Sequence, residues 1–418
     1  MKRYSEYKDS GVKWIGEIPG HWKIMRLRAY LSMYSEKNHP DKQLLSVTRE
    51  SGVIVRNTES KEENHNYIPD DLSGYKLVRI GDFAINKMKS WQGSYGVSNF
   101  EGIVSPAYYV CKLKFPYKDF FSNAIRCKAY IPFFTQYSKG IRVDQWDLSP
   151  IALKNIPFFE PPLPEQEAIV TYLDTKVAKI DEYISIAEKK IAALEELKQT
   201  IIAEAVTRGI HKNVPMKESG VKWIGMIPEH WKVNKIRSHF KERRVKVSDK
   251  DFQALSVAKI GIVPQLEDAC KTDNGDNRKQ VLKGDFVVNS RSDRKGSCGI
   301  SPLDGSVSLI NIVLRPFNIL QEYVHYLFRS HNYIEEFYRN GRGIVADLWT
   351  TRYSEMRNIQ IPVPPLAEQQ EIVTYIEAKV ANINQLCQAE RSQIEKLKEY
   401  KQRLISDVVT GKVKVTND

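Results

Sequence analysis

The chain is 418 residues long, 42% hydrophobic, 10% aromatic and 27% charged, so it has material for more than one packed core and is not compositionally disordered. Its 63 Lys and Arg against 51 Asp and Glu give a formal charge of +12 and a pI near 9.2, a balance that favours an anionic partner such as nucleic acid. No apolar run reaches the roughly 20 residues of a membrane span, "MKRYSEYKDS" lacks a signal-peptide core, and Cys111, Cys127, Cys270, Cys298 and Cys387 form no CxxC, so the expectation is a cytoplasmic protein with neither a disulfide framework nor a zinc site.

The first segment, "SGVKWIGEIPGHWKIMRLR" (Ser10–Arg28), returns almost unchanged as "SGVKWIGMIPEHWKVNKIR" (Ser219–Arg237). The correspondence then runs the length of the chain. "LLSV" (Leu44–Val47) answers to "ALSV" (Ala254–Val257), and "GDFAINKMKSWQGSYGVS" (Gly81–Ser98) to "GDFVVNSRSDRKGSCGIS" (Gly284–Ser301). Trp146 answers to Trp349, and "KNIPFFEPPLPEQEAIVTYLDTKV" from Lys154 to "RNIQIPVPPLAEQQEIVTYIEAKV" from Arg357. Two copies are too few for a solenoid, which needs about three units to bury a continuous core, so the reading is a tandem pair related by a pseudo-twofold. His21 and His230 recur beside Trp22 and Trp231, where packing or capping explains them better than catalysis.

Each copy opens with a part of roughly 130 residues, an ordinary domain size. Runs such as "FEGIVSPAYYVCKL" and "GSVSLINIVLRP" between Gly, Asn and Asp turns predict strands there. The loop after "GDF" keeps its frame between the copies and changes its contents. "NKMKSWQGSYG" (Asn86–Gly96) and "NSRSDRKGSCG" (Asn289–Gly299) share Asn, Gly-Ser and Gly, residues that favour turns. The candidate contacts are Lys87, Lys89, Trp91, Gln92, Ser94 and Tyr95 in the first copy and Ser290, Arg291, Arg294, Lys295 and Ser297 in the second. Arg and Lys bond guanine edges or phosphates, Gln an adenine edge, and Ser a phosphate or either base, while Trp and Tyr offer apolar or stacking faces. In a basic, duplicated protein the two loops therefore point to DNA; a solvated hairpin tip is the alternative for either loop taken alone.

Each copy closes on a helical pattern. From Leu173 apolar positions fall at Val177, Ile180, Ile184, Ala187, Ile191 and Leu194, the steps of four and three of a coiled-coil seam. The second copy gives Ile376, Val380, Ile383, Cys387, Glu390, Ile394 and Leu397. Glu390 breaks that seam, and Lys198 and Lys401 take the next seam position in each copy, where the packing must loosen or the stems snorkel. "EPPLPEQ" and "VPPLAEQ" read as helix stops and starts, with Pro164 suited to a first turn and Glu165 and Glu368 to the positive end of the helix dipole. No Pro or Gly follows until Gly209 and Gly411, so each helix should span roughly 43 residues, about 65 Å at about 1.5 Å per residue. A helix of that length with one apolar stripe needs a partner. The two are expected to pair antiparallel, each "SGVKWIG" segment docking a globular part on a helix end.

Motifs for catalysis are missing: there is no GxxxxGK(S/T) phosphate loop, no GxSxG, no HExxH, and the eight histidines do not cluster at ligand spacing. With these residues in this order, the chain resembles the specificity subunits of type I restriction-modification systems over nearly its whole length. The likeness is carried by "SGVKWIGEIPGHWK" and its copy and by "PPLPEQEAIVTYLD" with "PPLAEQQEIVTYIE". It implies an α+β protein: two similar mixed α/β target-recognition domains (1–155 and 211–358) joined by two long antiparallel coiled-coil helices (156–210 and 359–418), with a pseudo-twofold internal repeat. It also implies a subunit without an active site, metal or cofactor, reading a bipartite double-stranded DNA target with one half-site per recognition domain. The implied partners are two modification subunits, which bring S-adenosylmethionine and methylate adenine, and restriction subunits, which use ATP and Mg to translocate and cut DNA. A self-sufficient enzyme finds no room in a chain consumed by two repeats. A two-headed coiled-coil scaffold for proteins, or a stand-alone DNA-binding protein, remains the alternative; the scaffold would show no salt-sensitive DNA affinity.

Overall fold

The computed structural model describes residues 2–58, 68–140, 146–266, 275–343 and 349–416. The chain divides into two compact units, residues 1–186 with 392–418, and residues 187–391. Cys111, Cys127, Cys298 and Cys387 are free and buried, while Cys270 lies outside the described residues. Among the described residues no helix is long and apolar enough to cross a membrane.

In the first unit the apolar runs form a four-stranded antiparallel sheet in the order Leu31–Tyr34, Tyr109–Leu113, Phe83–Ile85, Tyr95–Val97. Successive side chains on a strand face opposite ways, and here both faces are covered. Phe83, Ile85 and Cys111 join the aromatic core made with the helices Lys118–Arg126 and Ile131–Tyr137, through Phe120, Phe121, Phe133 and Phe134. The intervening Ala84 and Val110 join a second core with Leu45, Val47 and Val53 of the hairpin Leu45–Thr48 and Gly52–Val55. This explains why the central strands read as continuous apolar runs.

The second unit repeats the arrangement: strands Phe240–Glu242, Asn311–Pro316, Phe286–Asn289 and Cys298–Ile300, in that order. Phe286 and Val288 face helices Gln321–Arg329 and His331–Arg339, and Val287 and Val313 face the hairpin Leu255–Ala258 and Gly261–Pro264.

The long helices are Leu163–Arg208 and Leu366–Val409, 46 and 44 residues. Every expected seam position is buried or half-buried. In the first unit Lys401 Nζ donates to Asp181 at 2.7 Å. In the second, Lys190 donates to Glu390 at 2.6 Å and Lys198 to Asn384 at 3.3 Å. Within that unit rising numbers on one helix meet falling numbers on the other, so the segments pair antiparallel. The polar breaks in the seam are therefore partnered rather than loose: Glu390 is taken by Lys190 and Lys401 by Asp181.

The repeated opening segment fixes the helix ends. "SGVKWIG" closes a tight loop in which the Ser10 N–H donates to Gly16 O and the Ser219 N–H to Gly225 O, both at 3.0 Å, turning Ile15 and Ile224 inward. A few residues on, Trp22 is fully buried and its Nε1–H donates to Glu165 at 3.2 Å. His21 Nε2 lies 2.8 Å from the same carboxylate oxygen, and the Tyr4 hydroxyl donates to the other. Glu165 belongs to the first turn of one long helix, while Gly411, just past the end of the other, lies against Trp22 and Pro19. In the second unit Trp231 lies against Gly209 and His230 Nε2 lies 2.7 Å from Glu368. Each segment thus reaches two helix ends, the start of one long helix and the end of the other.

Gly411 and Gly220 both have positive φ, 76° and 70°, so Ala at either carries backbone strain. A Cβ at Gly411 would also meet Pro19 Cδ at 2.3 Å and the Trp22 ring at 3.2 Å, whereas one at Gly220 would meet nothing within 4 Å. Gly411→Ala is expected to lower the thermal unfolding midpoint further than Gly220→Ala, by at least about 2–4 °C, the shift that roughly 1 kcal/mol produces in units of this size. Equal shifts would show that the tryptophan contact is not tight.

Candidate nucleic-acid interface

Residues 86–94 connect the sheet strands Phe83–Ile85 and Tyr95–Val97, and residues 290–297 connect Phe286–Asn289 and Cys298–Ile300. Each connection is closed at its base by the shared frame: the Asn86 N–H donates to Ser94 O at 3.0 Å and the Asn289 N–H to Ser297 O at 2.9 Å. A short 3₁₀ turn follows in both, Ser90–Gln92 and Ser292–Arg294.

On the first loop Lys89 is exposed, with no ion pair among the described residues. Lys87 is half-buried and donates to Asp147 at 2.9 Å. Trp91 is half-buried against Trp146, ring centroids 5.4 Å apart, with its Nε1–H donating to Met88 O and its carbonyl accepting from Thr135 Oγ1. Gln92 is half-buried beside it.

On the second loop Arg291, Arg294 and Lys295 are all exposed. The two guanidiniums flank Asp293, their Nε atoms 3.5 and 3.6 Å from its carboxylate, and Lys295 donates to Glu335 at 2.9 Å. Where the first loop sets Trp91 against Trp146, the matching positions hold Arg294 and Trp349, and Trp349 borders an open cleft of about 780 Å³ with Trp223, Asp293, Lys295, His331 and Tyr338. The same frame therefore presents an aromatic, Lys- and Gln-bearing surface in one unit and an arginine-rich surface beside a cleft in the other. Exposed ion pairs such as Lys295–Glu335 contribute at most about 1 kcal/mol, so little energy holds these cations to their carboxylates.

Residues 232–396 match the family model of the type I restriction modification DNA specificity domain. The chain is 24% identical over 447 residues to the type I restriction enzyme MjaVIII specificity subunit of Methanocaldococcus jannaschii, with 98% of each chain covered. It is similar in fold to a solved chain from work on the complex assembly and conformational transition of the type I R-M system, at TM-score 0.65 and 16% identity, covering 95% of this chain and 99% of that one. A crystal structure of the HsdS subunit from Thermoanaerobacter tengcongensis gives TM-score 0.51 at 17% identity, over 97% and 100% of the two chains. Over nearly its whole length the chain is similar to type I restriction enzyme specificity subunits. The model match falls on the second copy and the full-length relative covers both copies, consistent with one recognition module written twice.

Four of the residues expected to meet DNA belong to the frame of the loops instead. Tyr95 is 1% exposed, its ring stacked on Phe134 at 3.8 Å, so its aromatic face is already spent in the core. Ser94 and Ser297 are buried at the loop bases, and the buried Ser290 hydroxyl donates to Ile310 O at 2.6 Å. Lys87, Lys89, Trp91, Gln92, Arg291, Arg294 and Lys295 keep at least part of their side chains at the surface. Asp147 and Glu335, which hold Lys87 and Lys295, carried no local signal, because each is distant in the chain from its lysine. Arg126 and Arg329 were also missed. They are the last residues of equivalent helices, and their recurrence in the repeat was the available signal.

The buried Tyr95 hydroxyl has no hydrogen-bond partner among the described residues, and burial pushes its pKa far above the ordinary tyrosine value. Tyr95→Phe removes that hydroxyl and keeps the ring stacked on Phe134. The expected result is unchanged or slightly raised stability, by up to about 1–2 kcal/mol, and unchanged DNA affinity. A loss of DNA binding in a fully folded Tyr95→Phe variant would return this residue to the interface.

Proposed function

We propose that this chain reads a two-part DNA sequence, one half-site per recognition unit, and is the subunit on which two adenine methyltransferase subunits and the restriction subunits of a type I complex assemble. The observation that carries the reading is the repetition of one loop frame with two different sets of surface side chains, Lys87, Lys89, Trp91 and Gln92 against Arg291, Arg294 and Lys295. Direct readout needs this division: phosphate and backbone contacts position a protein, and exchangeable side chains at base edges specify the sequence. A scaffold for proteins has no need of cations held only by weak exposed ion pairs, on a chain carrying +12. In this reading the chain contributes recognition and no chemistry; S-adenosylmethionine, ATP and Mg belong to its partners.

The test is the double substitution Arg291→Ala and Arg294→Ala, in the chain co-expressed with its methyltransferase, with methylated adenines mapped across a genome. One half of the recognised sequence should lose base preference, at roughly 1–3 kcal/mol for a lost base-edge contact, while the other half is read as before. If an arginine contacts phosphate instead, affinity should fall for all sequences and the salt dependence should flatten by about one unit of slope. Altered preference in both halves, or no change in preference, affinity or salt slope, would refute the assignment of this loop.

A further inference from the structure

The loops after "GDF" are not the only exposed elements held in place by a repeated device. Each unit also carries the hairpin that covers the second face of its sheet, Leu45–Thr48 with Gly52–Val55 and Leu255–Ala258 with Gly261–Pro264. Its turn has different contents in the two copies: Arg49, Glu50 and Ser51 in the first, Lys259 and Ile260 in the second. All five are exposed, and Ile260 is 76% exposed, a large apolar side chain at the outermost point of a turn.

The arginine that ends each neighbouring helix ties this turn to the recognition loop. Arg126 Nη2 donates to Arg49 O at 3.0 Å and to Glu50 O at 2.8 Å, while its Nη1 donates to Tyr95 O. Arg329 Nη1 donates to Cys298 O at 3.0 Å, while its Nη2 donates to Lys259 O. Tyr95 and Cys298 are the first strand residues after the two loops. One guanidinium therefore grips the turn with one nitrogen and the end of the loop with the other, in both units. The backbones meet closely at the same place: a Cβ at Gly96 would lie 3.2 Å from the Gly52 Cα, and one at Gly299 would lie 3.4 Å from the Gly261 Cα. In the first unit the turn and the loop line one cleft of about 770 Å³, through Arg49, Glu50, Ser51, Gln92 and Gly93.

We propose that the hairpin turns 49–51 and 259–260 are second DNA-contacting elements, each reading or gripping the same half-site as the loop beside it, with Arg126 and Arg329 as the positioning residues that hold turn and loop in register. The occupant is the duplex that the recognition loops engage, since each turn continues that surface and each offers a cation, Arg49 or Lys259. Ile260 adds an apolar contact of the kind made to thymine methyls or inserted at base steps. The guanidinium satisfies carbonyls that a turn of two or three residues leaves unpaired, so neither turn can shift without releasing the loop end. This inference rests on the DNA-reading function proposed above.

The experiment uses the chain complexed with its methyltransferase, with binding titrated against salt on a duplex carrying the mapped motif and on one with unrelated sequence. Arg49→Ala should weaken binding about tenfold, and should either relax preference at a position in the first half-site or flatten the salt slope by about one. Lys259→Ala combined with Ile260→Ser should do the same for the second half-site. These positions are exposed, so the variants keep the fold. Arg126→Met should disturb preference in the first half-site alone and Arg329→Met in the second alone, a pattern that general loss of stability does not produce. If the turn variants bind like the unaltered complex while Arg291→Ala with Arg294→Ala changes its half-site, the turns are not DNA contacts, although the proposed function stands. If Arg126→Met lowers only the melting temperature and leaves base preference intact, its positioning role falls. If the unaltered complex itself shows no sequence preference, the proposed function fails and this inference with it.

Discussion

A buried tryptophan pressed between the first turn of one long helix and the glycine that ends the other is the contact on which each unit depends. A helix of 46 or 44 residues with a single apolar stripe has no stable existence alone in water. Its ends are its weakest points, because there the backbone N–H and C=O groups lack intrahelical partners. The Trp22 side chain, with Glu165 accepting from its indole at the positive end of the helix dipole, settles both problems at one place. Burying an indole this completely is worth several kcal/mol, judged by the roughly 3–5 kcal/mol that truncating a core Trp or Phe costs. In the second unit Trp231 is buried against Gly209 in the same way, but Glu368 is bonded by His230 and the indole N–H has no partner among the described residues.

Once the helix ends are held, the strands flanking them follow. Lys23–Arg26 pairs with Pro157–Glu160 directly before the first long helix, and Lys232–Lys235 pairs with Gln360–Val363 before the second. The segment that caps the helices thus also ties each globular part to them through backbone hydrogen bonds. Along the seam, the charges at Glu390, Lys198 and Lys401 find partners on the facing helix, a device that sets register where a purely apolar stripe would tolerate slippage by a turn.

The globular parts separate a constant core from variable connections. Sheet, helices and hairpin bury both faces of the central strands, and the positions that do so keep their character between copies, as Phe83 and Phe286 or Ala84 and Val287 do. In the connections at the edge of the sheet the buried ends stay constant while the residues between them change, so the half-buried Trp91 and Gln92 of one unit stand where the other has the exposed Arg294 and Lys295. Surface chemistry on a constant fold can thus vary at low energetic expense.

Local and periodic features were legible in the chain alone. The repeat set the number of units, the steps of three and four at Leu173 through Leu194 set the seam, and the proline stops and Gly209 and Gly411 placed the helix ends within a few residues of where they lie. The variable loops after "GDF" could be located because turn residues mark them at both ends. Whether a given side chain in those loops faces outward was decided only in three dimensions. Tyr95 reads as a stacking surface, yet it is the first strand residue after the loop and pairs with Ile85, which faces the aromatic core; its counterpart, the buried Cys298, was the one hint of this. The partners of the loop cations, Asp147 and Glu335, and the carbonyls gathered by Arg126 and Arg329 come from segments remote in the chain. Periodicity and turn chemistry are properties of neighbours in sequence and survive in any window of residues. Burial of a loop side chain and the choice of its charge partner depend on which distant segments fold against it, and no local pattern encodes that.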